Sequence, residues 1–359
     1  MQPNDDDLFL ESPFSNVAGQ SSAKCWAGRP KVHDSLLRVK RALSRMTDST
    51  LDLMWASLGA GKTHTLLHLA SLLEDRSFSN SGTIAVFVEM PEQVRNFVDV
   101  YKRIISASPL DRLAEIIGNC PTSKLLDSVA RAANVIRHGN VAQRQLVTEW
   151  LAADRPLLKD LRQLTGITQR IEEDIAATDV LCCIAQACAL NRVRLLILVD
   201  EFQRIGVLKP TAQRKVLSCL RSVYSRTPSY FSMVLSIQSL LEENALKFIP
   251  PELATLLGKK PTISLPEMDQ PEAKEFLIGR FEFFRRGHYA GPATAPFDSE
   301  AVDAVLHCIH DDAGMALNPR EILQAFALVY SQAEHPNERI TASEAVEILR
   351  ATYVTRREA

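Results

Sequence analysis

The sequence predicts an α/β fold, a parallel sheet covered by helices and followed by an all-helical region. Three observations lead there. Short apolar runs rich in β-branched residues alternate with long stretches of helical periodicity. A glycine-rich turn, "GAGKT", joins one apolar run to a helix. After Pro266 only helical spacing remains.

Residues 1–24 are polar and irregular, and are expected to form a loose N-terminal arm. "VHDSLLRVKRALSRM" spaces its apolar residues at helical intervals. "LDLMWASL" reads as a buried strand ending in the glycine-rich turn, and "THTLLHLASLLEDR" as the helix leaving it. "GTIAVFVEM" is a second buried strand. Residues 92–193 are mostly helical, with a charged insertion at about 141–178. "RLLILVDE", "FSMVLSIQS" and the short "TISL" supply the third, fourth and fifth strands. Helices follow over roughly 270–286, 298–311, 318–333 and 341–353, with "GHYAGPATAP" between the first two. The expected domains are an α/β core over residues 25–268 and an all-helical domain over residues 269–359.

With 46% hydrophobic and 23% charged residues, the 359-residue chain has an ordinary soluble composition and length enough for a large core. The net charge of -2 gives no global basic field for nucleic acid, so such a contact would need a local patch. Seven cysteines fit no paired framework, which suggests reduced thiols in a cytoplasmic protein. The opening "MQPNDDD" lacks the pattern of a secretory leader, and no apolar run is long enough to span a bilayer. No membrane partner is expected.

"WASLGAGKTHTL" nearly matches the phosphate-binding pattern G-x-x-x-x-G-K-[ST], with Ala56 where the first glycine would stand. Glycines let backbone N–H groups curl around phosphates, and the following helix presents its N-terminus to the negative charge. Ser57, Leu58, Gly59, Ala60 and Gly61 form the loop, Lys62 would reach the β- and γ-phosphates, Thr63 would bind Mg²⁺, and His64 follows. Alanine fits the first position if its φ stays negative. The loop is therefore expected to work.

A second constellation is independent of the first. "LLILVDE" is an apolar strand ending in two carboxylates. Asp200 would hold the Mg²⁺ water shell, and Glu201 would orient and deprotonate the attacking water. Together the two motifs imply a nucleotide hydrolase, with Mg²⁺ at the phosphates. Gln238 and Ser239 end the fourth strand; they either touch the attacking water or the γ-phosphate, or simply begin a loop.

With these pieces in view the sequence resembles the AAA+ ATPases, and within them the bacterial and archaeal relatives of the origin-recognition and Cdc6-type ATPases. "WAGRPKVHDSLLRVKRAL", "GAGKT", "LVDE", the polar end of "VLSIQS" and "LNPREIL" carry the match, over roughly residues 25–335. The resemblance implies a five-stranded parallel sheet in the order 5-1-4-3-2 with a C-terminal helical lid. It implies that Arg320 reaches the γ-phosphate and that the segment around Gly28 and Arg29 borders the adenine. It also implies ATP as the nucleotide, and a homo-oligomer built through the ATP site. More narrowly, "GKTHTLLHL", "EWLAADRPLLKDLRQLTGITQRIEED" and the helix before "LILVDE" are similar to P-loop ATPases of phage-defence clusters, including BREX-type systems, with related cores in transposition regulators. That implies a partner effector or nuclease and a DNA-associated role. The alternative is an ATP-gated scaffold or signalling switch with weak hydrolysis that regulates an effector without touching DNA.

The chain departs from the family in two places. The usual arginine before the fifth strand is missing, since none occurs between Arg226 and Arg280. Lys259, Lys260, Arg221 and Arg226 are the candidates to replace it. The chain also stops soon after the lid helices, so DNA binding through a winged-helix domain is not expected.

Three other signals have plainer readings. Cys182, Cys183 and Cys188 on one helix read as buried packing rather than a metal site, and the two imidazoles of "HCIH" as surface or lid packing. "FEFFRRGHY" fits nucleic-acid stacking, or a lid helix with a basic last turn.

Overall fold

A computed structural model describes residues 8–74, 82–239, 263–287, 291–336 and 339–357. Two compact units emerge. The sheet unit takes residues 37–55 and 69–264, and the helical unit takes residues 1–36, 56–68 and 265–359. This division differs from the expected boundaries, because the phosphate-loop segment groups with the helical unit.

The strands are β1 (Thr50–Ala56), β2 (Thr83–Glu89), β3 (Arg194–Asp200), β4 (Phe231–Gln238) and β5 (Ile263–Leu265). They form one sheet in the order β2-β3-β4-β1-β5, which is the expected order read from the other edge. β2 pairs parallel with β3, placing Glu89 beside Asp200, and β3 pairs parallel with β4, placing Val199 beside Leu235. Every residue of β3 is buried, as a central parallel strand with both faces covered requires.

The first helices are α1 (Gln20–Ala23), α2 (Pro30–Arg45) and α3 (Lys62–Glu74). Those covering the sheet unit are α4 (Phe97–Ser106), α5 (Leu110–Gly118), α6 (Asp127–His138), α7 (Val141–Leu151), α8 (Leu158–Thr165), α9 (Asp174–Leu190) and α10 (Pro210–Arg226). α9 is apolar on nearly all sides and correspondingly buried, with Cys182, Cys183 and Cys188 packed in its core. The segment expected as an insertion shares this core. Trp150, Leu161, Ile167 and Ile171 are all buried in it, and the Trp150 indole N–H donates to the Gln169 carbonyl at 2.7 Å.

Buried Arg194 fastens the end of α2 to the sheet. Its guanidinium donates to the carbonyls of Leu43, Met46 and Asp48 and to the Ser232 hydroxyl.

The helical unit contains α11 (Gln270–Phe284), α12 (Ser299–His307), α13 (Pro319–Gln332) and α14 (Ala342–Arg357). Asp269 caps α11 by accepting from the Glu272 N–H at 2.8 Å, and a π-turn over Cys308–Asp312 extends α12. The core is aromatic: Phe281, Phe297 and Phe326 pack in series.

The expectation of a loose arm over residues 1–24 needs correction where the chain is described. Phe9 and Phe14 are buried in the aromatic core, 5.7 Å from Phe281 between ring centroids in both cases. The Leu10 N–H donates to the Phe284 carbonyl at 2.8 Å, and Arg280 donates to the carbonyls of Pro13 and Ser15. The polar composition of the segment hides two phenylalanines, each worth about 2 kcal/mol when buried.

Candidate functional site

β1 runs directly into the phosphate loop. Ala56 is fully buried and its φ is not positive, so alanine fits where the pattern has glycine. Gly59 and Gly61 do need their freedom, at φ +79° and +91°. Leu58 lies exposed at the tip, and Ala60 is buried. Lys62 opens α3 and is only 6% exposed, with Thr63 next. Gly61 accepts both the backbone N–H and the hydroxyl of Thr65, each at 2.9 Å, which anchors the turn to the helix. Two left-handed glycines followed by a helix N-terminus make a concave set of backbone donors suited to phosphate.

The start of α13 lies against this loop within the same unit. The Arg320 backbone N–H donates to the Gly59 carbonyl at 3.3 Å. A Cβ placed on Gly59 would stand 2.7 Å from Asn318 Oδ1 and 3.0 Å from Arg320 Cβ. Asn318 is itself the N-cap of α13, accepting from the Glu321 N–H at 3.1 Å, with Pro319 in the first turn. The capping signal in "LNPRE" and the proposed phosphate-sensing arginine thus occupy one turn. The Arg320 side chain is exposed.

Gly28 and Arg29 both take positive φ, at +57° and +50°. A Cβ on Gly28 would come within 2.9 Å of the Phe276 backbone nitrogen, so the segment can approach α11 only through glycine. Buried Arg29 donates to the Ala60 carbonyl at 2.7 Å and to the Pro266 carbonyl. Burial pushes its pKa down to about 10, opposed by Glu272, and it stays charged at neutral pH. Arg29 therefore braces the phosphate loop.

His64 and His68, one turn apart on α3, hold the N-terminal segment. His64 Nε2–H donates to the Ser22 carbonyl at 3.0 Å, and His68 Nδ1–H to the Ala23 carbonyl at 2.7 Å. Burial drives the His64 pKa down to about 4, against the opposing pull of the Ser22 carbonyl. Trp26 stacks on His33 at 5.4 Å and leans on His68 at 4.9 Å.

The carboxylates belong to the sheet unit. Asp200 ends β3 almost fully buried and accepts the Glu201 N–H at 2.9 Å. Glu201 turns the chain through φ +56°, uncommon for a residue with a side chain. A 3-10 turn over Phe202–Val207 follows. Gln203 Nε2 donates to Glu201 Oε2 at 2.8 Å, and Gln203 Oε1 accepts the Gln238 N–H at 3.0 Å. Arg204 pairs with Glu89 at 2.9 Å, lies 4.0 Å from Glu201 Oε2 and donates to the Met90 carbonyl. Ser239 follows β4 and is buried.

The expected residues therefore group in two sets. Gly28, Arg29, Ser57, Leu58, Gly59, Ala60, Gly61, Lys62, Thr63, His64 and Arg320 lie in the helical unit, and Asp200, Glu201, Gln238 and Ser239 in the sheet unit. Thr63 carries a hydroxyl and Asp200, in the other unit, a carboxylate; each by itself is a hard oxygen donor of the kind Mg²⁺ takes. Sequence reasoning did not single out Gln203 and Arg204, which contact Glu201, or Asn318, which lies against Gly59. The polar pair in "DEFQR" marks the first two only once the turn at Glu201 is known.

Lys259 and Lys260 lie outside the described residues. Arg226 is paired with Asp179 at 2.6 Å, and Arg221 is exposed. In "FEFFRRGHY", Phe281 and Phe284 are core residues and Arg285 donates to the Ala293 and Ala295 carbonyls. His307 pairs with Asp311, and no metal-binding cluster of three or more His, Cys, Asp or Glu occurs among the described residues. No helix among them is long and apolar enough to cross a membrane.

Neither a protein-family model nor a curated protein matches the sequence. Solved structures do. The ORC2 protein of Aeropyrum pernix, in ADPNP and ADP complexes, is 15% identical with a TM-score of 0.60, covering 96% of this chain and 72% of its own. The Cdc6p of Pyrobaculum aerophilum is 12% identical with a TM-score of 0.56, covering 97% and 72%. The ORC1 protein of Aeropyrum pernix, in complex with DNA, is 15% identical with a TM-score of 0.54, covering 92% and 66%. Likeness at this identity establishes architecture alone, and the chain shares the fold of these ORC and Cdc6 proteins.

Proposed function

We propose that this chain is an ATPase that couples ATP binding and hydrolysis to self-assembly, and through it to control of a DNA-associated partner. The observation that carries the reading is the phosphate loop: Gly59 and Gly61 at positive φ, with Lys62 opening α3. The ADPNP and ADP complexes of the ORC2 neighbour and the DNA complex of the ORC1 neighbour lend it support.

The loop N–H groups and Lys62 would hold the β- and γ-phosphates. Thr63 and Asp200 would hold Mg²⁺, which when bound offsets phosphate charge. Glu201 would accept a proton from the attacking water, with Gln238 or Ser239 beside it. Arg320, at the start of α13, would make turnover sensitive to the γ-phosphate. Phage defence or mobile-element biology is the setting in which a partner effector or nuclease is proposed, in the cytoplasm.

A second reading is an ATP-gated scaffold with weak hydrolysis. It is favoured by Arg204, whose guanidinium lies 4.0 Å from Glu201 Oε2 and so engages that carboxylate with a protein partner instead of a water.

The deciding experiment compares wild type and Glu201→Gln for turnover and for native mass with ATP-Mg²⁺ or ADP. The proposal expects wild-type turnover, a loss of roughly a hundredfold in the variant, and a larger species with ATP alone. A monomer in both nucleotides would overturn self-assembly, and a wild type that binds but does not turn over ATP would favour the scaffold.

A further inference from the structure

The geometry points to Gln203 as a positioning residue that aims the Glu201 carboxylate and ties it to the end of β4. The inference rests on the reading of Glu201 as the general base.

The orientation of the Gln203 amide follows from its two partners. A carboxylate only accepts, so the NH₂ end must face Glu201 Oε2, 2.8 Å away. A backbone N–H only donates, so the carbonyl end must face Gln238, 3.0 Å away. Turning the amide over would set oxygen against oxygen and N–H against N–H. Phe202 and Ile205, both at 0% exposure, hold the 3-10 turn that carries Gln203 in the core. The bridge therefore starts from a fixed backbone.

The Glu201 side needs such a partner. Its backbone turns through φ +56° directly after β3, and its N–H is taken by Asp200. Both side-chain contacts of Glu201, with Gln203 and Arg204, fall on Oε2. Oε1 carries no hydrogen bond among the described residues and is left to take the proton. Holding one oxygen fixes the plane of the carboxylate and so the direction of the other. Because the far end of the amide grips the Gln238 N–H, a shift at the end of β4 would reach the base through one side chain. Gln238 thereby acts through its backbone, a role that reading side chains alone does not reveal.

Gln203→Met keeps length and removes both hydrogen bonds. It should lower kcat about tenfold, the size of one hydrogen bond to a charged group, with KM and nucleotide affinity unchanged. In a Glu201→Gln background the same substitution should change the residual rate little, because the group it positions is gone. Gln203→Glu keeps the acceptor for Gln238 and loses the donor. It should lower kcat while leaving hydrogen exchange at the Gln238 amide slow, whereas Gln203→Met should speed that exchange.

An unchanged or raised kcat in Gln203→Met would overturn the inference, and so would an equal loss in the Glu201→Gln background, which would mark a merely structural role. If Gln203→Met does not fold, the kcat and exchange pattern of Gln203→Glu decides alone. A wild type without turnover would instead refute the ATPase reading, while the Gln238 exchange data would still report the bridge.

Discussion

Replacing Gly59 with alanine tests whether the phosphate loop and the start of α13 form one structural piece. The new Cβ would meet two costs. At φ +79° an L-residue carries about 1–2 kcal/mol of backbone strain. The methyl would also stand 2.7 Å from Asn318 Oδ1, well inside contact distance, and would push the side chain off the Glu321 N–H. Losing that cap costs about 1 kcal/mol. Gly59→Ala should therefore cost about 2–3 kcal/mol locally, while Asn318→Ala alone costs about 1 kcal/mol. The double variant should cost no more than Gly59→Ala, since one cap can be lost only once. Hydrogen exchange at the Glu321 amide reads this directly. A local loss of about 2 kcal/mol is roughly a thirtyfold faster exchange. Additive costs, or exchange at Glu321 unchanged by Gly59→Ala, would refute the reasoning.

Other outcomes follow from the same kind of accounting. Arg194→Met should destabilise the sheet unit by about 3 kcal/mol or more in urea unfolding, because it orphans the carbonyls of Leu43, Met46 and Asp48. Arg194→Lys should recover only part, since an ammonium cannot span the same set of acceptors. Burial pushes the Cys188 thiol up to about 12 and Cys182 up to about 11, from 9.0. The folded chain then keeps protons that the unfolded chain releases above about pH 9. Stability is thus fully present below that pH and falls as pH rises toward the folded values, and Cys188→Val should flatten the slope in unfolding titrations. With native protein at pH 8, a thiol reagent should label Cys219 ahead of the six buried cysteines; early labelling of Cys188 would contradict the packing of α9.

What could be read from the sequence was what local chemistry decides. The runs "TIAVFVE" and "RLLILVD" became adjacent parallel strands because a doubly covered sheet demands continuous apolar residues. "GAGKT" became a strand-to-helix turn because only glycine takes φ +79° and +91° cheaply. Ala56 fitted because its position is buried and its φ is not positive. What stayed hidden depends on partners far along the chain. Phe9 and Phe14 sit in a polar stretch, and only α11 reveals what buries them. Arg29 looked like a ligand-facing residue of a familiar segment, yet its guanidinium goes to the carbonyls of Ala60 and Pro266, 31 and 237 residues away.

Gln203 shows the same limit at the site itself. Its neighbour Glu201 is identifiable from the strand that ends beside it, because an apolar run closing in two acids is a one-dimensional signal. The role of Gln203 needs three non-sequential facts: the left-handed turn at Glu201, the buried anchors Phe202 and Ile205, and the end of β4 within reach of its amide. None of them leaves a spacing in the sequence. Residues that carry chemistry tend to be legible because chemistry restricts residue type. Residues that aim chemistry are chosen by distance, and a glutamine between a carboxylate and a backbone N–H becomes meaningful only when both are within about 3 Å.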